Sequence, residues 1–231
     1  MTAFVRARFV SGRLGLNLTI GATLLIATAI IFGYIAEDVV SAEAITVIDE
    51  NLARWFHGHA TPTHTRLMLF ITHINGIMGV IVMACMCAFY LYREKSWHWL
   101  LTLVLAVPGG MLVNVGLKYA FHRARPSFDD PLLILTTYSF PSGHASGATL
   151  FYGVVAAYLV SLVKSALWRV LICLAALMMV ALVGLSRIYL GVHYLSDVLA
   201  AVAASSAWLA LVLTSVAPWE NPPFRRFGKL A

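Results

Sequence analysis

The sequence has few charged residues: Asp, Glu, Lys and Arg together account for 11% of its 231 positions. Hydrophobic residues account for 61%, and the mean hydropathy is +0.85. This composition excludes an ordinary soluble domain and predicts an all-α, polytopic membrane protein. Internal repeats and low-complexity tracts are absent from the sequence. We therefore expect one helical domain over residues 1–231.

Cysteine is also scarce. The three cysteines, Cys85, Cys87 and Cys173, all fall in apolar segments. A Cys-x-Cys pair inside a span is more typical of packing than of a disulfide or a metal site. The first apolar run lacks an obvious small-residue cleavage site, which predicts a retained span rather than a signal peptide.

Six apolar runs are long enough to cross a bilayer, which takes about 20 residues. Their expected bounds are Leu14–Ile35, Leu67–Tyr92, Trp99–Phe121, His144–Val163, Trp168–Leu185 and His193–Val216. The connections at 93–96 and 164–167 are short, so the helices on either side of each are expected to be antiparallel neighbours. The sequence thus predicts six transmembrane helices in one bundle.

The formal net charge is +6, but the basic residues are dispersed among the loops. Anionic lipid is therefore a better expected partner than nucleic acid. If the N-terminus is cytoplasmic, 10 of the 16 Lys and Arg fall on inner segments, against 2 of the 10 acidic residues. The positive-inside rule then predicts that both termini are cytoplasmic, including the basic segment 1–13 and the basic tail 218–231.

The first outer segment, 36–66, contains a predicted helix over Ser41–Phe56. Its apolar residues recur at helical spacing, at Ala44, Ile45, Ile48, Leu52 and Trp55. The pattern is typical of an amphipathic helix lying on the membrane surface, although a simple connecting helix fits it as well. Three histidines follow in a short stretch, where a solvated loop is favoured over a metal site because no carboxylate or Cys lies among them: His57, His59 and His64.

The first of three polar stretches on the predicted outer side runs from Lys118 to Pro126, at the end of the third span. Lys118 and Arg125 are seven residues apart, so on a helix both could face one pocket. Pro126 would stop that helix. Read alone, the stretch also fits a helix C-terminus whose basic residues interact favourably with the negative end of the helix dipole.

The second stretch, Phe140–Gly147, marks a helix start because Pro-Ser-Gly precedes a long apolar run. A helix N-terminus with a glycine-containing entry presents free N–H groups to an anion, and Ser142 can add a hydroxyl. His144 would stand just inside that site, where it could donate a proton. A plain cap with a chance histidine is the alternative.

The third stretch, Ser186–Asp197, lies between two apolar segments. His193 and Asp197 are four residues apart, so on one helix the carboxylate could fix one ring nitrogen and leave the other free as nucleophile or base. Arg187 supplies a planar cation suited to phosphate oxygens. The alternative is an interfacial arginine followed by a histidine capped by an aspartate.

All three stretches fall on the same predicted outer face of the membrane. Cations, a helix N-terminus and two histidines on one side describe a phosphate site with a nucleophile and an acid. The orientation depends mostly on other residues, so this agreement supports the combined interpretation.

The three stretches resemble the signature of the type 2 phosphatidic acid phosphatase (PAP2) superfamily. Its pattern is Lys-x6-Arg-Pro, then Pro-Ser-Gly-His, then Ser-Arg-x5-His-x3-Asp. The sequence matches from Lys118 to Asp197 without departure at a defining position, and the six-span layout extends the resemblance over most of the chain.

The resemblance implies a metal-independent phosphatase that needs no cofactor. His193 would attack phosphorus and form a phosphohistidine, Asp197 would orient it, and His144 would protonate the leaving oxygen. The phosphate oxygens would be held by Lys118, Arg125, Ser142, Gly143 and Arg187.

The superfamily also contains soluble acid phosphatases and vanadate-dependent haloperoxidases, but six spans favour its lipid-phosphate branch. Similar bacterial members act on undecaprenyl diphosphate, phosphatidylglycerophosphate, phosphatidic acid or lipid A phosphate. The expected location is the bacterial inner membrane, with the active site facing the periplasm or exterior. A phosphotransferase with a lipid acceptor is the alternative, and a non-catalytic lipid binder or transporter is less favoured. The resemblance implies no particular oligomeric state.

Overall fold

The computed structural model describes residues 2–220, with side chains described over 19–216. Over this range the chain is helical, and no strand occurs in it. The helices are α1 Thr2–Val40, α2 Ala44–Gly58, α3 Pro62–Ile74, α4 Ile77–Arg93, α5 Trp97–Phe121, α6 Gly143–Leu162, α7 Ala166–Tyr189 and α8 Leu195–Glu220. The expected all-α fold is confirmed, whereas the basic tail, 218–231, lies almost wholly outside the described residues.

Five single helices in the described range are long and apolar enough to cross a membrane: α1, α5, α6, α7 and α8. A sixth crossing exists if α3 and α4 count as one span, and these two helices are bent by 47° at a short break. The break falls at Asn75-Gly76, inside the run predicted as one continuous second helix. Because Asn-Gly is a strong turn signal, it interrupts the helix even within apolar sequence.

Several predicted helix boundaries differ from the observed ones; for example, α3 begins at Pro62 instead of Leu67, and α7 continues to Tyr189 instead of Leu185. The first apolar helix continues to Val40 instead of ending at Ile35, because no Gly or Pro stops it before Ala42, which adopts a positive φ. The last helix begins at Leu195 instead of His193, because a turn at Gly191 separates it from α7.

The bundle is built around α6, which packs against α5, α7 and α8, while α1 lies along α8. Its main apolar core joins α4, α5, α6 and α8 through buried side chains such as Val80, Leu103, Ala106, Leu150 and Val212. Outward-facing large side chains remain exposed on the spans, as expected where lipid takes the place of a protein neighbour.

Helix α2 packs on the bundle through a face different from the predicted apolar stripe. Asp49 and Ala53 are buried, and Leu52 packs against a core cluster. Ile48 and Trp55, two residues of the predicted apolar stripe, are 54% exposed each. The Asp49 carboxylate is hydrogen-bonded to groups at the start of α8, and this turns the Asp49 face of the helix towards the bundle instead of the full apolar stripe. The two exposed apolar residues leave the membrane-surface interpretation as a prediction.

Candidate active site

The loop between α7 and α8 places His193 at one end of the helix bundle. Gly191 has φ +66°, and a β-carbon there would lie 2.9 Å from the ring of Phe128. Glycine is therefore required both by the backbone and by the space available. This turn reverses the chain so that His193 precedes α8 and Asp197 lies in its first turn.

His193 and Asp197 contact each other, with His193 Nδ1 3.3 Å from Asp197 Oδ2. They do not share one helix, as the four-residue spacing had suggested, because His193 lies before α8 begins. Asp197 instead caps the helix: its Oδ2 accepts the backbone N–H of Tyr194 at 2.9 Å and the hydroxyl of Ser139. The capping turn thus aims the carboxylate at the imidazole.

The other ring nitrogen of His193 faces a cation. Arg125 Nη1 lies 3.1 Å from His193 Nε2, and arginine can only donate, so Nε2 accepts and the ring proton is on Nδ1. His193 is 1% exposed, and burial lowers its pKa from 6.5 to about 4 despite the neighbouring Asp197. At neutral pH the imidazole is therefore neutral, with a lone pair on Nε2.

Arg187, in the last turn of α7, is 1% exposed. Its Nη1 donates to the hydroxyl of Thr72 on α3. Its Nε and Nη2 have no hydrogen-bond partner within the described part of the chain. Unsatisfied buried guanidinium N–H groups are costly, and they suit an anionic ligand that would accept from them.

The N-terminus of α6 supplies the next part of the site. Ser142 is its N-cap, and the buried Ser142 hydroxyl has no partner among the described residues. The backbone N–H of Ser142 donates to the carbonyl of Asp197 at 3.0 Å, which ties this helix start to α8. His144 follows in the first turn, within electrostatic range of His193 and Arg187. Gly143 leaves the helix entry open.

Lys118 and Arg125 converge on one carbonyl group, although not by the predicted route. The helix α5 ends at Phe121, and His122 adopts a left-handed conformation, so Arg125 lies in the following loop and Pro126 does not end the helix. Lys118 Nζ nevertheless lies 2.7 Å from the Tyr138 carbonyl oxygen, and Arg125 Nη2 lies 3.1 Å from it. The loop folds back over the α5 terminus and brings both cations together.

The broken span α3/α4 reaches the site beside His144. A β-carbon at Gly76 would lie 3.6 Å from His144 Nε2. Asn75, just before it, is 2% exposed and accepts a hydrogen bond from the Tyr152 hydroxyl at 2.8 Å. The break therefore forms one wall beside the predicted acid.

Four residues of the site were missed by sequence reasoning: Asp49, Thr72, Arg123 and Ser139. Each makes a side-chain hydrogen bond to Arg187, to Asp197 or to a partner of Asp197. Asp49 and Thr72 lie outside the three motifs, Arg123 occupies an undefined position of the first motif, and Ser139 directly precedes the second stretch. Only the three-dimensional arrangement shows their contacts with the predicted residues.

The three histidines of the outer segment do not converge. His57 Nε2 contacts Asp130, His59 Nδ1 contacts the Trp55 carbonyl and His64 Nδ1 contacts Thr61. Among the described residues, no group of three His, Cys, Asp or Glu side chains could hold a metal ion.

A family model for the PAP2 superfamily matches residues 97–220. Phosphatidylglycerophosphatase B of Bacillus subtilis (strain 168) is 32% identical over 172 residues, covering 73% of this chain and 83% of that protein. Lipid A 1-phosphatase of Rhizobium etli is 30% identical over 134 residues, covering 52% of this chain and 51% of that protein.

Two crystal structures resemble the whole bundle. The transmembrane PAP2-type phosphatidylglycerolphosphate phosphatase from Bacillus subtilis aligns with TM-score 0.75 and 28% identity, covering 87% of this chain and 98% of that one. Aquifex aeolicus LpxE aligns with TM-score 0.59 and 20% identity, covering 72% of this chain and 94% of that one. At that lower identity the second likeness concerns the fold alone.

Proposed function

Since this chain belongs to the PAP2 superfamily, a family of phosphatases, we propose that it hydrolyses the phosphate or diphosphate headgroup of a membrane lipid through a phosphohistidine. The observation that carries the proposal is the pair of contacts on His193. Asp197 lies at Nδ1 and Arg125 at Nε2, so the lone pair of the neutral ring faces the cations that would hold phosphate.

The first chemical step forms a bond between His193 Nε2 and phosphorus and breaks the bond from phosphorus to the leaving oxygen. The proton on Nδ1 remains directed at Asp197, whose negative charge stabilises the positive charge that develops on the ring. His144 gives its proton to the leaving oxygen. A water molecule, deprotonated by His144, then attacks phosphorus and releases inorganic phosphate and the free imidazole.

The cations supply the stabilisation of charge on the equatorial phosphate oxygens that metal ions give in other phosphoryl-transfer sites. Arg187 offers two nitrogens without a partner in the described residues, Nε and Nη2, and Ser142 offers a hydroxyl at the positive end of α6. Lys118, Arg125 and the backbone of Gly143 would complete the cradle. The proposal therefore includes metal-independent activity.

A lipid substrate is favoured by the apolar bundle around the site and by the relatives. Phosphatidylglycerophosphate is the substrate class favoured by the Bacillus subtilis relative, with undecaprenyl diphosphate and phosphatidic acid as further candidates. We place the site at the outer face of the bacterial cytoplasmic membrane, with both termini inside, on the distribution of Lys and Arg.

Action on the 1-phosphate of lipid A is the second candidate, because the Rhizobium etli relative is a lipid A 1-phosphatase. Transfer of the phosphoryl group to a lipid acceptor would use the same residues. A binder or transporter would need the cations but neither His193 nor His144.

The purified protein in detergent micelles, with EDTA present, tests the proposal through release of inorganic phosphate. Phosphatidylglycerophosphate, undecaprenyl diphosphate, phosphatidic acid and lipid A are supplied one at a time. Wild type is expected to release phosphate without an added acceptor. His193→Ala should release none while still binding the lipid, and the matched variant His59→Ala, in an exposed residue, should retain activity.

Two outcomes would contradict the proposal. Normal turnover by His193→Ala would show that His193 is not the nucleophile. Activity that is lost in EDTA and restored by Mg²⁺ would show that the mechanism depends on a metal ion. Formation of a phosphorylated acceptor lipid, with little inorganic phosphate released, would favour the phosphotransferase.

A further inference from the structure

Arg123 contacts both Asp197 and its neighbour Ser196, although it is not a defining position of the sequence motifs. Its Nη1 donates to Asp197 Oδ1 and to the Ser196 hydroxyl, both at 2.7 Å. Its guanidinium carbon lies 4.4 Å from the centre of the Tyr194 ring, a cation–π distance. These contacts fix the guanidinium plane across the first turn of α8.

Asp49 holds the opposite side of that guanidinium. Arg123 Nη2 donates to Asp49 Oδ2 at 2.9 Å. Asp49 Oδ1 accepts the backbone N–H of Ser196 at 2.9 Å, and the Ser196 hydroxyl donates to Oδ2. Asp49 is 1% exposed and belongs to α2, so a helix of the outer segment is bound to the start of α8 through one buried carboxylate.

The backbone of Arg123 closes the arrangement. Its carbonyl accepts the N–H of Ser139 at 2.9 Å, and the Ser139 hydroxyl donates to Asp197 Oδ2. Oδ1 of Asp197 is therefore engaged by Arg123, while Oδ2 receives Ser139 and the Tyr194 N–H and faces the His193 ring. The carboxylate has one orientation that satisfies all of these donors.

We propose that Arg123 and Asp49 are positioning residues of the reaction: Asp49 on α2 orients Arg123, and Arg123 orients the Asp197 carboxylate that steers His193. The proposal rests on the proposed function in taking His193 as the nucleophile. Docking of α2 is then a condition for activity, because the helix supplies the carboxylate on which the guanidinium is aligned.

The positive charge of Arg123 also affects the electrostatic potential at His193. The charged and titratable groups that face this imidazole are Asp197 from α8, Arg125 from the outer loop, Arg187 from α7 and His144 from α6. Arg123 neutralises part of the Asp197 charge. Burial lowers the pKa of Arg123, but the carboxylates of Asp197 and Asp49 outweigh burial and raise it. Loss of Arg123 should strengthen the pull of Asp197 on the imidazolium, whereas loss of the Asp49 charge should not.

Kinetics provide the first test, with dioctanoyl phosphatidic acid in detergent micelles. Arg123→Gln is expected to lower kcat by about 10- to 100-fold, as loss of an outer partner of a working histidine commonly does. KM should change by less than about 2-fold, because Arg123 is not placed on the phosphate. Arg123→Lys keeps the charge but not the fork, so it should recover part of the loss.

The neighbouring residues of α2 provide matched controls. Asp49→Asn is expected to lower kcat, because one carboxylate oxygen is replaced by an amide NH2 group, which cannot accept the hydrogen bonds made there by Arg123 or Ser196. Glu50→Gln makes the same chemical change one residue away, at an exposed side chain paired only loosely with Arg54 at 3.7 Å, and should retain wild-type kcat. The double variant Arg123→Gln/Asp49→Asn should lose about as much as Arg123→Gln alone, since Asp49 acts through Arg123.

The second test is the titration of His193, measured by ¹⁵N NMR of histidine-labelled protein and assigned with His193→Asn. Arg123→Gln should raise the pKa of His193 and move the acid limb of kcat/KM to higher pH. Asp49→Asn should raise neither, although it also impairs turnover. If the two substitutions only disturbed the local structure, the pKa of His193 would shift in the same direction in both variants.

Wild-type kcat in Arg123→Gln together with an unshifted His193 titration would overturn the proposal, as would equal losses in Glu50→Gln and Asp49→Asn. If Arg123→Gln does not yield a monodisperse protein, Arg123→Lys and Asp49→Asn carry the same comparison. The NMR measurement needs no substrate, so it decides the role of Arg123 even if wild type releases no phosphate and the proposed function fails.

Discussion

The two halves of the chain contribute to the site in different ways. The segment from α5 to α8, within the family match at 97–220, carries every residue with a recognisable motif, on its helices or in the loops between them. Helices α1–α4 carry none, yet they supply Asp49 beneath Arg123, Thr72 beside Arg187 and Gly76 beside His144. Under the proposed function, one half would hold the reacting groups and the other would fix their positions, so substitutions in the two halves should have effects of different size.

The largest effect is expected from Arg187→Gln in the motif-bearing half. The change removes the cation whose Nε and Nη2 are buried without partners in the described residues, so charge on the phosphate would lose a prearranged donor pair. Activity should fall by about 10²- to 10³-fold, the loss typical of an oxyanion donor. Phosphate release measures it, with Arg169→Gln, an exposed arginine on the same helix, as the control. Equal losses of activity in both variants would contradict the role of Arg187 in binding the phosphate.

Protonation of His193 should produce the next largest effect, on stability. Burial lowers its folded-state pKa to about 4 from an ordinary value of 6.5. Between these values the unfolded chain binds more protons, so the contribution is fully present above pH 6.5 and is lost as the pH falls towards 4, by up to about 3 kcal/mol. Thermal unfolding in detergent from pH 7 to pH 4 tests this, and His193→Gln should show a weaker pH dependence than His59→Gln. Parallel curves for the two variants would contradict the assignment.

The same comparison separates what the sequence predicts from what it does not. The motifs predict Lys118, Arg125, Ser142, His144, Arg187, His193 and Asp197 as one group, because their spacing reflects the chemistry of a phosphate. The structure brings these side chains together at one end of α5–α8. Two pairs, Lys118 with Arg125 and His193 with Asp197, meet through loops where helical spacing was assumed. The spans were predicted from hydropathy, because length and apolarity are fixed by the bilayer.

The support from α1–α4 was not predictable in the same way. Asp49 is a charged residue outside the apolar stripe predicted for its helix, and its hydrogen bonds to α8 explain its burial. Thr72 and Gly76 lie in a run read as one uninterrupted span. Contacts between residues more than 100 positions apart, such as Thr72 with Arg187, leave no periodic trace in a single sequence.

Thr72→Val tests the supporting half at a single hydroxyl. The two side chains have similar shape, but valine cannot accept the hydrogen bond from Arg187 Nη1, and the guanidinium loses a fixed point. Activity is expected to fall by about 3- to 10-fold, mainly through KM, which corresponds to the roughly 1 kcal/mol typical of one hydrogen bond. Thr102→Val is the matched control, because Thr102 is a buried threonine on α5 that bonds only to the His98 carbonyl of its own helix. A loss in Thr102→Val as large as in Thr72→Val would point to packing instead of the arginine.

The smallest effect is expected from Gly76→Ala, at the break between α3 and α4. The new methyl would lie 3.6 Å from His144 Nε2, in ordinary contact, and 3.3 Å from the His73 carbonyl oxygen, which must give way slightly. The methyl narrows the space beside the proposed acid, and turnover should fall because a reacting geometry tolerates small displacements poorly. The fall should be only a few-fold, because no polar group is removed. Gly33→Ala, where nothing lies within 4 Å of the added carbon, should leave turnover unchanged. Equal turnover in the two variants would mean that the broken span does not border the leaving group, and the contribution of α1–α4 would then be confined to Asp49 and Thr72.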